Sequence, residues 1–156
     1  MTKSIFLTLI ASALFAASVN AATKPVPGDG STQTFSTGAN GQWTTDTYSV
    51  TLAGPGILRV WDGYCFGDRY EVTIDGAVVG TTSEGSPAGG HCNALSAAPT
   101  PEFAWGNKAF SRGVYSLTAG DHTFQFTTTT HPWGGPAYFA VGSGSVCITI
   151  SFFYSC

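Results

Sequence analysis

A period-two alternation of apolar and polar residues, repeated in short segments, constrains this chain more than any other feature of its sequence. Tyr48, Val50 and Leu52 alternate with hydroxyl-bearing residues. Residues 69–75 and 122–127 repeat the pattern. Because successive side chains of a strand point to opposite faces of a sheet, each segment predicts a strand with one face buried and the other in solvent.

Turn residues separate these segments, and no segment shows the period of a helix. Asp75-Gly76 is a hairpin signal between two such segments. Residues 57–61 are apolar except for Arg59 and predict a central strand covered on both sides. Residues 83–111, rich in glycine and proline, predict a long irregular loop. The sequence therefore predicts an all-β fold, an antiparallel β-sandwich or jelly roll of about eight or nine strands.

The first segment of the chain has the layout of a secretory signal peptide. Lys3 provides a positive start, residues 5–19 are mostly apolar, and Ala21 is a small residue just after the run. We therefore expect a signal peptide over residues 1–21, cleaved after Ala21, and a secreted, extracellular protein. A membrane anchor is the alternative, but the apolar run of about 15 residues is short of the roughly 20 that a span requires.

The remainder of this 156-residue chain has the length of one domain. Residues 22–31 contain prolines and glycines and predict a flexible leader. Residues 32–156 are predicted to form a single β-sandwich domain. No later apolar stretch is long enough for a bilayer, so we expect no membrane span.

Export makes disulfide bonds the expected state of the four cysteines, which are Cys65, Cys92, Cys147 and Cys156. Three pairings are open, and we favour pairing the first two with each other and the last two with each other. The predicted topology brings Cys65 and Cys92 to one end of the sheet. The second pair requires the tail to fold back, since nine extended residues span about 30 Å. Zinc held by Cys65, His91 and Cys92 is the alternative use of these residues.

The charge pattern argues against several classes of function. Charged residues make up 10% of the chain and the net charge is −3, so no basic surface for nucleic acid is expected. Glu71 and Asp75 lie on one predicted strand about 13 Å apart, too far for a glycosidase pair. Asp62, Asp68 and Glu84 are interpreted as surface or turn charges. No G-x-S-x-G motif is present, so we assign no catalytic residue, and a small secreted hydrolase stays an alternative.

Two of these acids raise the alternative of a calcium site. Asp62 and Asp68 flank Cys65, and extracellular proteins hold Ca²⁺ with loop carboxylates and backbone carbonyls. The spacing of an EF-hand is absent. We otherwise expect no cofactor and no metal.

Aromatic residues in the predicted loops are the candidates for ligand binding, because flat aromatic faces stack on sugar rings and dominate protein contacts. The same rings could instead fill a small core, and that interpretation is preferred for Phe103 and Phe110. Four residues are predicted to bind a ligand: Tyr64, Trp105, Trp133 and Tyr138.

An ordered series of segments, PGILRVWD (55–62), GDRYEV (67–72) and PWGGPAYF (132–139), carries a family resemblance. The chain resembles, from about Tyr48 to Ile150, a loosely defined group of secreted β-sandwich proteins of fungi and of bacteria that use C-terminal sorting signals. The function of the group is unassigned, so the resemblance implies no catalytic residue. The chain does not end in a sorting tail, and we expect a freely secreted form.

The sequence predicts a non-catalytic binding protein that recognises a surface ligand through aromatic loops. The expected partner is a glycan or an extracellular protein of a cell wall or host, and neither nucleic acid nor a membrane. A fungal effector that acts on a host partner is the second hypothesis, and a hydrolase is the third. The oligomeric state is left open.

Overall fold

The computed structural model describes residues 22–37, 46–86, 98–130 and 135–144, and the backbone alone of residues 148–150 and 153–155. Strands dominate these residues, with one short helix. The elements are β1 (Thr23–Pro25), β2 (Asp29–Ser36), β3 (Thr47–Leu52), β4 (Gly56–Asp62), β5 (Arg69–Ile74), β6 (Ala77–Thr81), α1 (Pro101–Gly106), β7 (Arg112–Leu117), β8 (Gly120–Thr130), β9 (Pro136–Ser143), β10 (Ile148–Ile150) and β11 (Phe153–Ser155).

Nine of these strands form two sheets that pack face to face. The five-stranded sheet has the order β1-β3-β8-β5-β6, and the four-stranded sheet has the order β2-β9-β4-β7. Neighbouring strands are antiparallel except for β1 and β3, which run parallel. The predicted all-β sandwich is therefore confirmed.

The core between the sheets is built from the inward rows that the alternation predicted. Tyr48, Val50 and Leu52 are buried, as are Tyr70 and Val72. The two sheets meet through an aromatic cluster whose ring centroids lie 4.3–6.2 Å apart, a range in which aromatic pairs attract one another beyond the burial of their area. The fully buried aromatic side chains of this cluster are Phe35, Tyr70, Phe124, Phe126 and Phe139.

The predicted hairpin at Asp75-Gly76 joins β5 to β6. Asp75 has φ of 51° and Gly76 has φ of 81°, so both central residues are in the left-handed region. A two-residue turn of this kind matches the right-handed twist of the flanking strands, and glycine and aspartate tolerate it at low steric cost. The local sequence alone was sufficient to predict this turn.

The prediction of a flexible leader over residues 22–31 requires correction. Thr23–Pro25 form β1 beside β3, and Val26 N donates a hydrogen bond of 2.9 Å to Ser49 O. Val26 also packs against the core, and β2 begins at Asp29 in the opposite sheet. Prolines are compatible with an edge strand. The strand depends on pairing with β3, which is distant in the sequence, so no local pattern could predict it.

The prediction of an irregular loop over residues 83–111 missed helix α1. Thr100 caps the helix, because its side chain accepts a hydrogen bond of 3.2 Å from Phe103 N, and Pro101 begins it. Six residues are too few to show a helical period. A cap residue followed by proline is the local signal that could have found it.

The C-terminal tail folds back on itself, since β10 pairs antiparallel with β11 and Ile148 lies opposite Ser155. Strands β10 and β11 therefore form a separate two-stranded sheet. Cys65 is buried and disulfide-bonded, whereas the other three cysteines lie outside the described residues, and both pairings stay predictions. The signal peptide over residues 1–21 also lies outside them. In the part of the chain that the structure describes, no helix is long and apolar enough to cross a membrane.

Replacing Phe139 tests the aromatic core. Phe139 contacts rings on both sheets, so Phe139→Ala is expected to lower the free energy of unfolding by about 3–5 kcal/mol through lost burial and a cavity. Urea denaturation measures the change. Val78→Ala, at an exposed position of β6, is the control and should change stability by less than about 0.5 kcal/mol. Equal effects of the two substitutions would contradict the packing described.

Candidate ligand-binding surface

The outer face of the four-stranded sheet carries a second hydrophobic cluster. On β4, Leu58 and Val60 point into the sandwich, so the pleat directs Arg59 and Trp61 outward. Trp61 is nevertheless only 3% exposed, because α1 packs over this face and Ala104 is buried against it. A tryptophan buried on the outer face thus ties the helix to the sheet.

Trp61 lies at the centre of this cluster. Its ring lies 5.3 Å from that of Trp105 in an edge-to-face contact and 5.9 Å from that of Tyr138. Its Nε1 donates a hydrogen bond of 3.0 Å to the carbonyl of Pro101 at the start of the helix. We call the buried and half-buried residues here the outer aromatic cluster, which comprises Trp61, Phe66, Ala98, Ala104, Trp105, Phe110, Tyr138 and Ala140.

Three of the four aromatic residues predicted to bind a ligand lie in or next to this cluster. Trp105 and Tyr138 are half-buried and both contact Trp61. Tyr64 is 44% exposed. It lies so close to Gly135 that a Cβ added to the glycine would be 2.4 Å from the Cβ of Tyr64. Trp133 lies outside the described residues. The structure therefore places Trp105 and Tyr138 on one surface, with Tyr64 in an adjacent loop.

The expectation that Phe103 and Phe110 fill the core holds for one of them. Phe110 is buried and packs edge-to-face on Phe66 at 4.8 Å. Phe103 is 50% exposed on α1. Both residues lie in the segment that was predicted to be one loop. Their different burial depends on the orientation of α1, which the sequence pattern does not show.

A groove of about 590 Å³ opens beside Trp105 along the edge strand β7. One wall is the segment after β6, which Ser86 holds in place by donating a backbone hydrogen bond of 2.8 Å to Ala109 O. Gly85 approaches that backbone so closely that a Cβ would lie 2.6 Å from the same carbonyl, and its φ is +62°. The groove is lined by Ser83, Gly85, Trp105, Lys108, Arg112, Gly113 and Val114.

Two guanidinium groups lie over the ring of Trp105. The Cζ atoms of Arg59 and Arg112 are 5.5 Å and 5.8 Å from its centroid, within the range of cation–π attraction. Arg112 Nη1 also donates a hydrogen bond of 2.6 Å to the Trp105 carbonyl. The ring is therefore a positioned aromatic surface with cations beside it.

The calcium candidates Asp62 and Asp68 are buried, at 1% and 2% exposure. Burial and the neighbouring charge of Asp68 raise the pKa of Asp62 to about 8. Asp62 accepts a hydrogen bond of 3.4 Å from Tyr64 N through one oxygen, and its Oδ2 has no hydrogen-bond partner among the described residues. Asp68 accepts a hydrogen bond of 3.4 Å from the hydroxyl of Tyr70. The interpretation of these acids as surface charges was wrong for both.

These two carboxylates fit a Ca²⁺ ion only in part. Calcium takes six to eight oxygen ligands, and among the described residues no group of three or more acidic, histidine or cysteine side chains converges. Backbone carbonyls and water would have to supply the remainder. Calcium at Asp62 and Asp68 stays a prediction.

A second groove, of about 480 Å³, lies beside His122 on the five-stranded sheet. His122 Nδ1 is 2.8 Å from Asp75 Oδ2, and its Nε2 is 3.1 Å from the carbonyl of Thr118 and 3.4 Å from its hydroxyl. A carbonyl and a carboxylate both accept, so the doubly protonated ring satisfies both contacts. The hydrogen bond to Asp75 is the main cause that raises the pKa of His122.

Asp75, His122 and Thr118 are of the residue types that form a nucleophilic triad, but their contacts differ from those of such a triad. Because Nε2 donates to the Thr118 carbonyl, it is not available as a base for the hydroxyl. Asp121, which also lines the groove, accepts a hydrogen bond of 2.6 Å from Thr51. Burial alone would raise the pKa of Asp75, but hydrogen bonds from Thr123 and His122 outweigh it and lower the pKa. The acid of a glycosidase needs a raised pKa instead. This site joins the β5–β6 turn to β8.

Comparisons with known proteins add little to these observations. No protein-family model matches the chain, and no curated protein matches its sequence. Among solved structures, the pre-peptidase C-terminal domain of a collagenase from Bacillus anthracis is similar, with a TM-score of 0.38, 12% identity, and coverage of 77% of this chain and 93% of that one. A likeness at this TM-score carries no argument about this chain. The resemblance to secreted β-sandwich proteins stays a prediction.

The pair of His122 and Asp75 predicts a pH window for stability. The raised pKa of His122 gives stabilisation that is complete below its ordinary value of 6.5 and is lost as the pH rises through the raised value. The lowered pKa of Asp75 gives stabilisation above 3.8 that is lost as the pH falls through the lowered value. Between these limits Asp75→Asn is expected to cost about 1 kcal/mol, since its side chain is 48% exposed.

Thermal unfolding followed by circular dichroism from pH 3 to 9 measures this window. Glu102→Gln, which removes an exposed acid of α1, is the matched control and should leave the profile unchanged. An Asp75→Asn profile that runs parallel to the wild type across the whole range would contradict the ion pair.

The buried Asp62 predicts that stability falls as the pH rises in calcium-free buffer, which is the opposite of the contribution of Asp75. Because its pKa rises from 3.8 to about 8 on folding, its contribution is most favourable below pH 3.8 and is lost as the pH rises towards 8. Each pKa unit corresponds to about 1.4 kcal/mol, so the loss amounts to several kcal/mol. Asp62→Asn should flatten the profile in urea denaturation, whereas Asp121→Asn, at an exposed position of β8, should not.

Calcium added at the alkaline end of this profile tests the metal prediction. Recovered stability in the wild type and none in Asp62→Asn would support a calcium site. An unchanged wild type would contradict it and leave Asp62 as a buried carboxyl group whose pKa is raised by burial and by the charge of Asp68.

Proposed function

We propose that this protein is a secreted binding protein that recognises an extracellular glycan in the groove beside Trp105, without catalysis. The observation that carries the proposal is the groove itself, which combines an aromatic ring held by Trp61 with charged donors from Lys108, just after α1, and Arg112 of β7. Its volume of about 590 Å³ lies in the range of small-molecule sites. Secretion rests on the predicted signal peptide over residues 1–21.

A glycan fits the groove better than a folded protein does. Sites for sugars are concave and present an aromatic ring next to a few polar groups, and Trp105 with Ser83 and Lys108 offers that combination. A protein partner needs about 800 Å² of surface on each side, most of which would lie outside the groove. The fixed orientation of Trp105 reduces the entropy lost on binding.

A protein partner, as the effector hypothesis requires, has support from a different surface. Strand β6 is an edge strand of the five-stranded sheet, and Val78 and Val79 are exposed on it. An exposed apolar edge can accept a strand from another chain. The effector is therefore the second candidate, and its contact would lie at β6 and leave the groove free.

A glycan array followed by calorimetry tests the proposal. The wild type is expected to bind a defined oligosaccharide, and Trp105→Ala is expected to weaken that binding at least tenfold, because a central buried aromatic contact typically contributes about 2 kcal/mol or more. Phe103→Ala removes an exposed ring of the same helix that does not line the groove, and it should bind as the wild type does.

Thermal unfolding of each variant verifies that the fold is retained, since Trp105 also packs on Trp61. If no glycan binds, or if binding is the same in Trp105→Ala and the wild type, the groove is not the site. Capture of a host protein that is lost on Val78→Asp, with no glycan bound, would establish the effector hypothesis in its place.

A further inference from the structure

The basic residues of this acidic chain are distributed unevenly. The chain has six lysines and arginines and a net charge of −3. Three of the six surround one ring: Lys108 and Arg112 line the groove with Trp105, and Arg59 lies over that ring. Half of the cations are thus concentrated at the site for which glycan binding is proposed.

Among the described residues, these three cations have no carboxylate within ion-pair distance. The ion pairs among the described residues join Lys24 to Asp46, Arg69 to Glu84 and His122 to Asp75, and none involves Arg59, Lys108 or Arg112. All nine aspartates and glutamates of the chain lie among the described residues, so no acidic side chain elsewhere can neutralise them.

The hydrogen-bond donors of these cations are also largely unused. A guanidinium carries five N–H donors, and Arg112 is observed to use one nitrogen on the Trp105 carbonyl. The Nε of Arg59 is buried without a partner among the described residues. Arg112, which lines the groove, therefore has donors left for an acceptor that a ligand brings.

We infer that the groove binds an anionic oligosaccharide, whose carboxylate or sulfate group lies against Lys108 and Arg112 while its sugar ring lies beside Trp105. This inference rests on the glycan-binding function proposed above and names the class of sugar. Arginine pairs with carboxylates and sulfates through two parallel hydrogen bonds. The guanidinium groups near Trp105 add positive charge beside the ring, so a sugar that carries an anionic group is favoured over a neutral one.

The nearest acids do not cancel this preference. Glu84 follows Ser83 in the wall of the groove, but its carboxylate is 87% exposed and lies 3.7 Å from Arg69 Nη1. Glu102 lies in the first turn of α1. The positive potential is therefore local, and salt should weaken binding because exposed charges are screened within about 10 Å at 0.1 M ionic strength.

Calorimetry with matched ligands tests the inference. The wild type is expected to bind trigalacturonate at least tenfold more tightly than its trimethyl ester, which retains the sugars and removes the charge. Lys108→Gln is expected to weaken trigalacturonate binding about tenfold, which corresponds to about 1.4 kcal/mol, and to reduce the dependence of affinity on salt. Lys24→Gln removes an exposed lysine that pairs with Asp46 and should change neither. A trisaccharide of neutral sugars that carries sulfate groups is the second anionic probe, and it shows whether the groove prefers a sulfate or a carboxylate.

The outcomes separate this inference from the proposed function. The inference is overturned if neither anionic probe binds more tightly than its uncharged counterpart, which is the trimethyl ester for trigalacturonate and the unsulfated trisaccharide for the sulfated one. It is also overturned if Lys108→Gln binds both anionic probes as tightly as the wild type does. If only a neutral glycan binds and Trp105→Ala abolishes it, the inference fails while the proposed function stands. If no glycan of either class binds, both fail.

Discussion

The burial of Trp61 on the outer face of the four-stranded sheet is the contact on which the candidate site depends. The pleat of β4 sends Val60 into the sandwich and Trp61 out of it, and a ring of that size is stable there only if another element covers it. Helix α1 provides the cover, and the hydrogen bond from Trp61 to Pro101 sets where the helix begins. Trp105 then lies at a fixed distance from the cations of β4 and β7, and the groove follows from that position.

Polar contacts hold the segments around this contact. Ser111 donates to the backbone carbonyl of Asp68, and Thr82 lies 3.1 Å from both Ser111 Oγ and Tyr70 N. These buried residues connect the start of β5 and the end of β6 to the start of β7. Since most buried polar groups in folded proteins are hydrogen-bonded, these contacts fix the loop beside the groove as well as the edge of the sandwich.

Much of the fold could be predicted because its signals are local. The rows that include Tyr70 and Phe126 alternate with a period of two, and Asp75-Gly76 carries a turn whose backbone only a few residue types adopt. The candidate site was anticipated in part, since Trp105 was among the residues predicted to bind a ligand and lines the groove. Tyr138, predicted with it, contacts Trp61 but does not line the groove. Trp61 was assigned only to a strand, although the single Arg59 in an otherwise apolar segment was a sign that this strand has a polar outer edge.

The sequence by itself determined which residues face the core and where the chain turns, because strand pleating and turn geometry depend on neighbours within a few positions. Only the tertiary structure decided that residues 22–31 join both sheets, that α1 covers Trp61, and that Arg59, Lys108 and Arg112 meet around Trp105. These arrangements depend on the pairing order of the strands and on contacts between segments far apart in the chain, which no local pattern records.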